Sequence, residues 1–366
     1  MSKIVIDARE YSSSTGRYVS KLIEYLEKID QENNYLILIK EKDFELYKPT
    51  NPNFTKILCP YKEFTFAEQL NFAKQLYALK ADLVHFPIVQ QPILYLKRSL
   101  TTIQDLTTIR FNNPAKNPYV FYIKQRVYML VIWVAAYKSK AIITPSDFVK
   151  KDLVGFTKIN EQKITVTYDS ADPITDTPQP ISKLENKRFI MYIGRPTPHK
   201  NLWALIEAFN SLKALYPDLL LVLAGGLDQN YKAIKQKALD LGYLDIIFTD
   251  RVSEGELRWL YEHCQAYVFP SLSEGFGLPG LEAMAHGAPV VSSSATCLPE
   301  IYGDAAMYFD PHDQQSMASA ISEVLSNQKL RESLINAGKK QLKQYSWGKT
   351  AEETLAIYQR ILKNNN

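Results

Sequence analysis

Short apolar runs alternate with amphipathic stretches from the first residues onward. Lys3-Ile-Val-Ile, Tyr35-Leu-Ile-Leu-Ile, Leu83-Val-His-Phe, Ser99-Leu-Thr-Thr-Ile and Ala141-Ile-Ile-Thr read as buried strands. Between the first two, residues 18–29 carry Val19, Leu22, Ile23 and Leu26 at helical spacing. Around 168–187 the pattern breaks into Asp169-Ser-Ala-Asp-Pro-Ile-Thr-Asp-Thr-Pro-Gln-Pro, where proline removes amide donors and fixes φ, so a linker is expected there. A second alternating series follows with Phe189-Ile-Met-Tyr-Ile, a helix from about Asn201, Leu219-Leu-Leu-Val-Leu-Ala, Ile246-Ile-Phe-Thr, Ala266-Tyr-Val-Phe and Pro289-Val-Val-Ser. The expected fold is α/β, with two Rossmann-like doubly wound domains, residues 1–170 and 171–349, facing across a cleft at the carboxyl ends of their strands. Residues 350–363 form a further amphipathic helix with Leu355, Ile357, Tyr358 and Ile361, and its periodicity does not say which domain it packs on.

Length supports the division, since 366 residues exceed what one hydrophobic core usually serves. A net charge of +4 favours anionic partners mildly, but no Lys/Arg stripe interleaved with aromatics suggests nucleic acid. Cys59, Cys264 and Cys297 lack C-x-x-C spacing, so neither a disulfide framework nor a zinc site is expected. The first residues run directly into a strand without the apolar segment of a signal peptide, and a cytoplasmic protein is expected. The most apolar stretch, residues 128–137, lies between Lys124, Arg126, Lys138 and Lys140 and is too short to span a bilayer. A buried helix is expected there; the alternative is an interfacial helix giving peripheral contact with the inner face of a membrane.

Two loops concentrate candidate chemistry. Gly194-Arg-Pro-Thr-Pro-His-Lys-Asn-Leu connects a strand to a helix with a rigid turn, so Arg195 and Lys200 can aim two cations at one point that suits phosphate. Ser271-Leu-Ser-Glu-Gly-Phe-Gly-Leu-Pro-Gly-Leu-Glu connects another strand to another helix. Its glycines place Glu274 on the loop and Glu282 in the first helical turns, and the amides of Gly275, Phe276, Gly277 and Leu278 add a phosphate-facing set. A carboxylate such as Glu282 can accept both hydroxyls of a ribose, and Glu274 can hold sugar hydroxyls. Gly16, at the start of the first helix, offers bare amides to a diphosphate, although the segment is no G-x-G-x-x-G fingerprint. No metal is expected, because no H-E-x-x-H or D-x-D occurs, and His85 and His286 read as hydrogen-bonded structural groups.

With these motifs in place the chain resembles the GT-B glycosyltransferases of family 4, particularly bacterial mannosyltransferase-like and rhamnosyltransferase-like members. The resemblance also covers Gly16-Arg-Tyr, Asp82-Leu-Val-His-Phe-Pro, Ile143-Thr-Pro-Ser, Leu298-Pro-Glu and Tyr345-Ser-Trp. It implies that Arg195 and Lys200 bind the donor diphosphate, Glu282 the ribose, Glu274 the transferred sugar and the Gly16 amide the phosphate. It further implies that backbone near Val252 meets the nucleobase, that the first domain is the acceptor side, and that a C-terminal helix of about 350–366 crosses onto it. Many relatives carry His-Asp where this chain has Gln104-Asp105; Gln104 cannot titrate, and Asp105 is the remaining candidate beside the donor. Relatives often show asparagine at the position of Asp169.

The expected activity is retaining transfer of a sugar from a nucleoside diphosphate sugar to a hydroxyl of a glycan or lipid-linked acceptor, in cell-surface polysaccharide or glycolipid assembly, without metal or other cofactor. A nucleotide-sugar epimerase, a sugar phosphorylase and a catalytically silent nucleotide-sugar-binding subunit remain open alternatives.

Overall fold

A computed structural model describes residues 1–13, 16–111 and 118–363. The chain divides into two compact units: residues 1–109, 122–169 and 346–366 form the first, and residues 110–121 with 170–345 form the second.

The first unit is built on seven parallel strands: β1 (Lys3–Asp7), β2 (Asn34–Ile39), β3 (Phe54–Leu58), β4 (Leu83–Phe86), β5 (Ser99–Thr102), β6 (Ala141–Thr144) and β7 (Ile164–Val166), in the order β3-β2-β1-β4-β5-β6-β7. Its central strands β4, β5 and β6 are buried at every position because helices cover both faces, and in β1 Ile4, Val5 and Ile6 are wholly buried. One core layer gathers Val5, Leu38, Phe72, Leu76 and Val84, and another gathers Ile103, Ile132, Ala136, Ile142 and Leu153. The final helix, Trp347–Lys363, belongs to this unit and packs on the helix Gly16–Ile29 through a stripe of Trp347, Ala351, Thr354, Tyr358 and Ile361. A buried polar chain ties these layers together: Tyr18 Oη meets Thr102 Oγ1 at 3.0 Å, Thr102 meets His85 Nε2 at 2.9 Å, and His85 Nδ1 meets Tyr358 Oη at 2.6 Å. Burial holds the His85 pKa down to about 3, so the ring stays neutral and structural.

The second unit has six parallel strands: β8 (Phe189–Ile193), β9 (Leu220–Ala224), β10 (Ile246–Asp250), β11 (Ala266–Phe269), β12 (Val290–Ser293) and β13 (Ala306–Phe309), ordered β10-β9-β8-β11-β12-β13. This is the doubly wound order, with its reversal point between β8 and β11. The equivalent reversal in the first unit lies between β1 and β4.

Three strands lie outside the sequence-based expectations: β3, β7 and β13. Each is a sheet edge, and β3, reading Phe-Thr-Lys-Ile-Leu, is half solvated, so polar residues dilute its signal. The expectation of a buried helix over 128–137 also needs correction. These residues belong to a helix Pro118–Lys138 whose Val131, Ile132, Ala135 and Ala136 face the core, whereas Leu130, Trp133 and Tyr137 are exposed.

Candidate active site

In the second unit the two candidate loops leave the strands that flank the reversal point. After β8, Pro198 opens a single 3-10 turn, Pro198–Lys200, and Asn201 takes a left-handed conformation at φ 55° before the helix Leu202–Leu212 begins. After β11, Gly277 adopts φ 95° ahead of the helix Leu278–Ala285. A side chain at Gly277 would also meet the Tyr302 hydroxyl at 2.6 Å, and that hydroxyl donates to the Gly277 carbonyl. The backbone locks the loops together, because Leu272 N–H donates to the His199 carbonyl at 2.7 Å.

This arrangement brings Lys200 and Glu274 into contact. Lys200 Nζ donates to Glu274 Oε1 at 2.6 Å with both side chains only partly exposed, so the pair is reachable from solvent. Glu274 is held from behind, its N–H donating to Thr296 Oγ1 and its carbonyl accepting from the Cys297 thiol. Burial and the Glu274 charge keep that thiol protonated. Glu282 is buried in the helix Leu278–Ala285, with the Tyr261 hydroxyl 3.5 Å from its Oε2. Arg195 directs an exposed side chain from the same loop as Lys200. Gly275 and Phe276 are buried in the loop and Leu278 begins the helix. Val252 is half-buried two residues beyond β10, an edge strand, and one residue before the Ser253 capping box. His286 is structural, its Nε2 accepting from the Ile174 N–H at 3.0 Å.

Gly16 and Asp105 lie in the first unit. Gly16 starts its helix where a Cβ would fall 1.9 Å from the Glu10 carbonyl oxygen, so only glycine fits. Its amide is not bare, because the N–H donates to the Ser13 carbonyl at 2.9 Å, a bond that a diphosphate would have to displace. Asp105 Oδ1 accepts from the Thr107 N–H at 2.7 Å and caps the short helix Thr107–Arg110.

Asp105 also lines a cavity of about 440 Å³ at the reversal point of the first sheet, with Glu10, Phe64, Gln90, Gln104 and Tyr128. Two buried amide atoms in its lining have no hydrogen-bond partner among the described residues: Gln90 Oε1, an acceptor, and Gln104 Nε2, a donor. Gln90 is aimed by its other amide atom, which donates to Glu68 Oε2 at 2.5 Å. Beneath it Arg9, wholly buried, pairs with Asp7 at 2.8 Å and Glu68 at 3.0 Å and lies over the Phe72 ring. Gln90, Glu68 and the Arg9 cluster are absent from the sequence-based expectations. Their one local signal is Asp7-Ala-Arg-Glu, four residues with three charges directly after a buried strand, whose partners lie some sixty and eighty residues away.

Comparison with known proteins follows the same division. The family model of glycosyl transferases group 1 matches residues 174–341. The O-antigen chain mannosyltransferase B of Escherichia coli is 30% identical over 280 residues, covering 73% of this chain and 71% of that protein. The O-antigen chain mannosyltransferase RfbU of Salmonella typhimurium is 32% identical over 203 residues, 55% of each chain. Among solved structures, a sucrose-phosphate synthase from Thermosynechococcus elongatus aligns over 99% of this chain and 100% of its own, with TM-score 0.78 and 17% identity. Anabaena Alr3699/HepE in complex with UDP and glucose aligns over 98% and 100%, with TM-score 0.72 and 17% identity. At such identity these likenesses establish the fold, which is GT-B.

Proposed function

Since the chain belongs to the group 1 glycosyltransferases, we propose that it moves a mannose-type hexose from a nucleoside diphosphate sugar to a hydroxyl of a growing cell-surface glycan. The observation that carries this reading is the Lys200–Glu274 pair joining the two loops of one reversal point. A lysine ammonium has three donors, so Lys200 can keep Glu274 and still hold a diphosphate oxygen. Arg195 adds the second cation, Glu274 takes hydroxyls of the transferred sugar, and Glu282 takes the ribose. Val252 backbone lies toward the nucleobase in this reading.

The acceptor oxygen bonds to the anomeric carbon as the bond from that carbon to the diphosphate breaks. The leaving diphosphate takes the bonding pair and then the acceptor's proton, so no titrating group is required at Gln104, and the product retains the donor's configuration. Fixed cations placed where this negative charge grows lower the barrier. The first unit holds the acceptor: the unpaired Gln90 Oε1 and Gln104 Nε2 offer one acceptor and one donor, the complement of a sugar hydroxyl. No resident metal takes part, and activity survives a chelator.

The test is a transfer assay with nucleoside diphosphate mannose, glucose and rhamnose against glycan acceptors, read by mass spectrometry. Acceptor-dependent mannosylation with the donor's configuration kept is expected. Conversion of donor with no acceptor present assigns an epimerase instead, and donor binding without turnover on any acceptor assigns a silent subunit.

A further inference from the structure

The helix Pro118–Lys138 is apolar on two sides, yet only one of them is covered. Tyr128, Val131, Ile132, Ala135 and Ala136 pack into the first unit. On the opposite side Ile123, Val127, Leu130, Trp133 and Tyr137, spaced by three and four residues, form a continuous exposed stripe, with Ile123 at 63% and Trp133 at 47% exposure. A second element adds exposed aromatic rings beside the covered side of the helix. Phe64 stands at φ 60°, a left-handed conformation unusual for a bulky residue, and its ring packs on Tyr128 at 5.9 Å while remaining half exposed. Phe66, two residues on, is 89% exposed.

Charge decides what such a surface suits. The whole chain is nearly balanced, with 43 Lys and Arg against 39 Asp and Glu, but residues 106–146 contain six Lys or Arg and no acid. Lys124, Arg126 and Lys140 are exposed on the same segment, and Lys62 is exposed beside Phe64. The acids beside Lys62 and Phe64 in the chain turn inward, Glu63 to Lys40 and Glu68 to Arg9. Lys138 is tethered inward as well, donating to the carbonyls of Pro92 and Tyr95 and fixing the end of the helix. A protein partner would leave several cations to be matched individually. An anionic bilayer matches them all at once, and it takes up tryptophan, tyrosine and aliphatic side chains at the level of its headgroups.

We propose that this face docks the chain on an anionic phospholipid surface, with the helix lying in the interface plane. The placement has a use. On the covered side of the same helix, Tyr128 lines the first unit's cavity together with Phe64, so docking of the helix would bring a hydroxyl carried on a lipid near Gln90 and Gln104.

Flotation of the full chain with vesicles tests the docking without donor or acceptor, so its failure leaves the transfer reading standing. Vesicles with about 30 mol% phosphatidylglycerol should bind at least about tenfold more protein than phosphatidylcholine alone, with the difference shrinking at high salt. Trp133 emission should shift to the blue on binding, and Trp133→Phe should bind while losing that shift. The double variant Leu130→Ser/Trp133→Ser should lose about tenfold in binding while the chain stays folded, because about half of each side chain already stands in water. Absence of binding to anionic vesicles, or undiminished binding by the double variant, overturns the proposal. So does concentration-dependent self-association that the same variant abolishes in the absence of vesicle binding, which would assign the face to a second copy of the chain.

Discussion

Both units fold a doubly wound sheet and both place an ion pair beside the reversal point, but the two pairs differ in reach. Lys200 and Glu274 remain partly open to solvent, whereas Arg9, Asp7 and Glu68 are sealed, with no side-chain exposure above one per cent. The topology chooses the place and burial chooses the task. A cation that water can reach is available to a charged ligand. A cation closed off between two carboxylates and an aromatic ring can only hold structure, leaving the adjoining cavity to amides, aromatic rings and the carboxylates of Glu10, Glu63 and Asp105.

The sealed pair gives the largest expected effect. Arg9→Leu should destabilise the first unit by about 3–5 kcal/mol in denaturant unfolding, since Asp7 and Glu68 would remain buried without their cation. A loss below about 1 kcal/mol would erase the contrast. On the open side, Lys200→Ala and Arg195→Ala should each lower turnover on the order of 10²-fold while the fold survives. Near-normal rates in both would remove the donor assignment.

Asp169 sharpens the sealed case because it is a buried carboxyl with an unpaired Oδ1, and burial raises its pKa to about 8. An unfolded aspartate titrates near 3.9, so between about pH 4 and pH 8 the native chain holds a proton that the unfolded chain has lost. Stability should therefore fall as pH rises through that window, at about 1.4 kcal/mol per pH unit from this group, and Asp169→Asn should flatten the slope. Unfolding midpoints measured at intervals across the window check the sign. The smallest effect falls on the first unit's cavity. Gln104→Leu should raise the acceptor KM about tenfold and leave donor binding unchanged, as expected for one lost hydrogen bond. An unchanged KM would remove Gln104 from acceptor binding.

Much of this was legible in the residues. Apolar runs located ten of the central and edge strands, because a strand covered on both faces must be apolar throughout. The edges β3 and β7 were not legible, since a half-solvated strand tolerates threonine and lysine, and β13, a run of only four residues, Ala-Met-Tyr-Phe, was missed although apolar. Lys200 and Glu274 could be nominated from their loops, glycines and prolines, which dictate local turns. Their 2.6 Å contact could not, because it depends on β8 and β11 becoming neighbours. Gln90 and the Arg9 cluster were invisible for the same reason, being assembled from segments dozens of residues apart.

By itself, then, the sequence determined the α/β alternation, the two loops with their charged side chains, and the break near Asp169, all of which follow from local propensity and periodicity. The tertiary structure alone decided which charges are sealed and which are open, that Gly16 donates to Ser13, and that one apolar side of the helix Pro118–Lys138 is left uncovered. Burial and partnership arise only when distant segments meet, and one segment's pattern does not encode its neighbours.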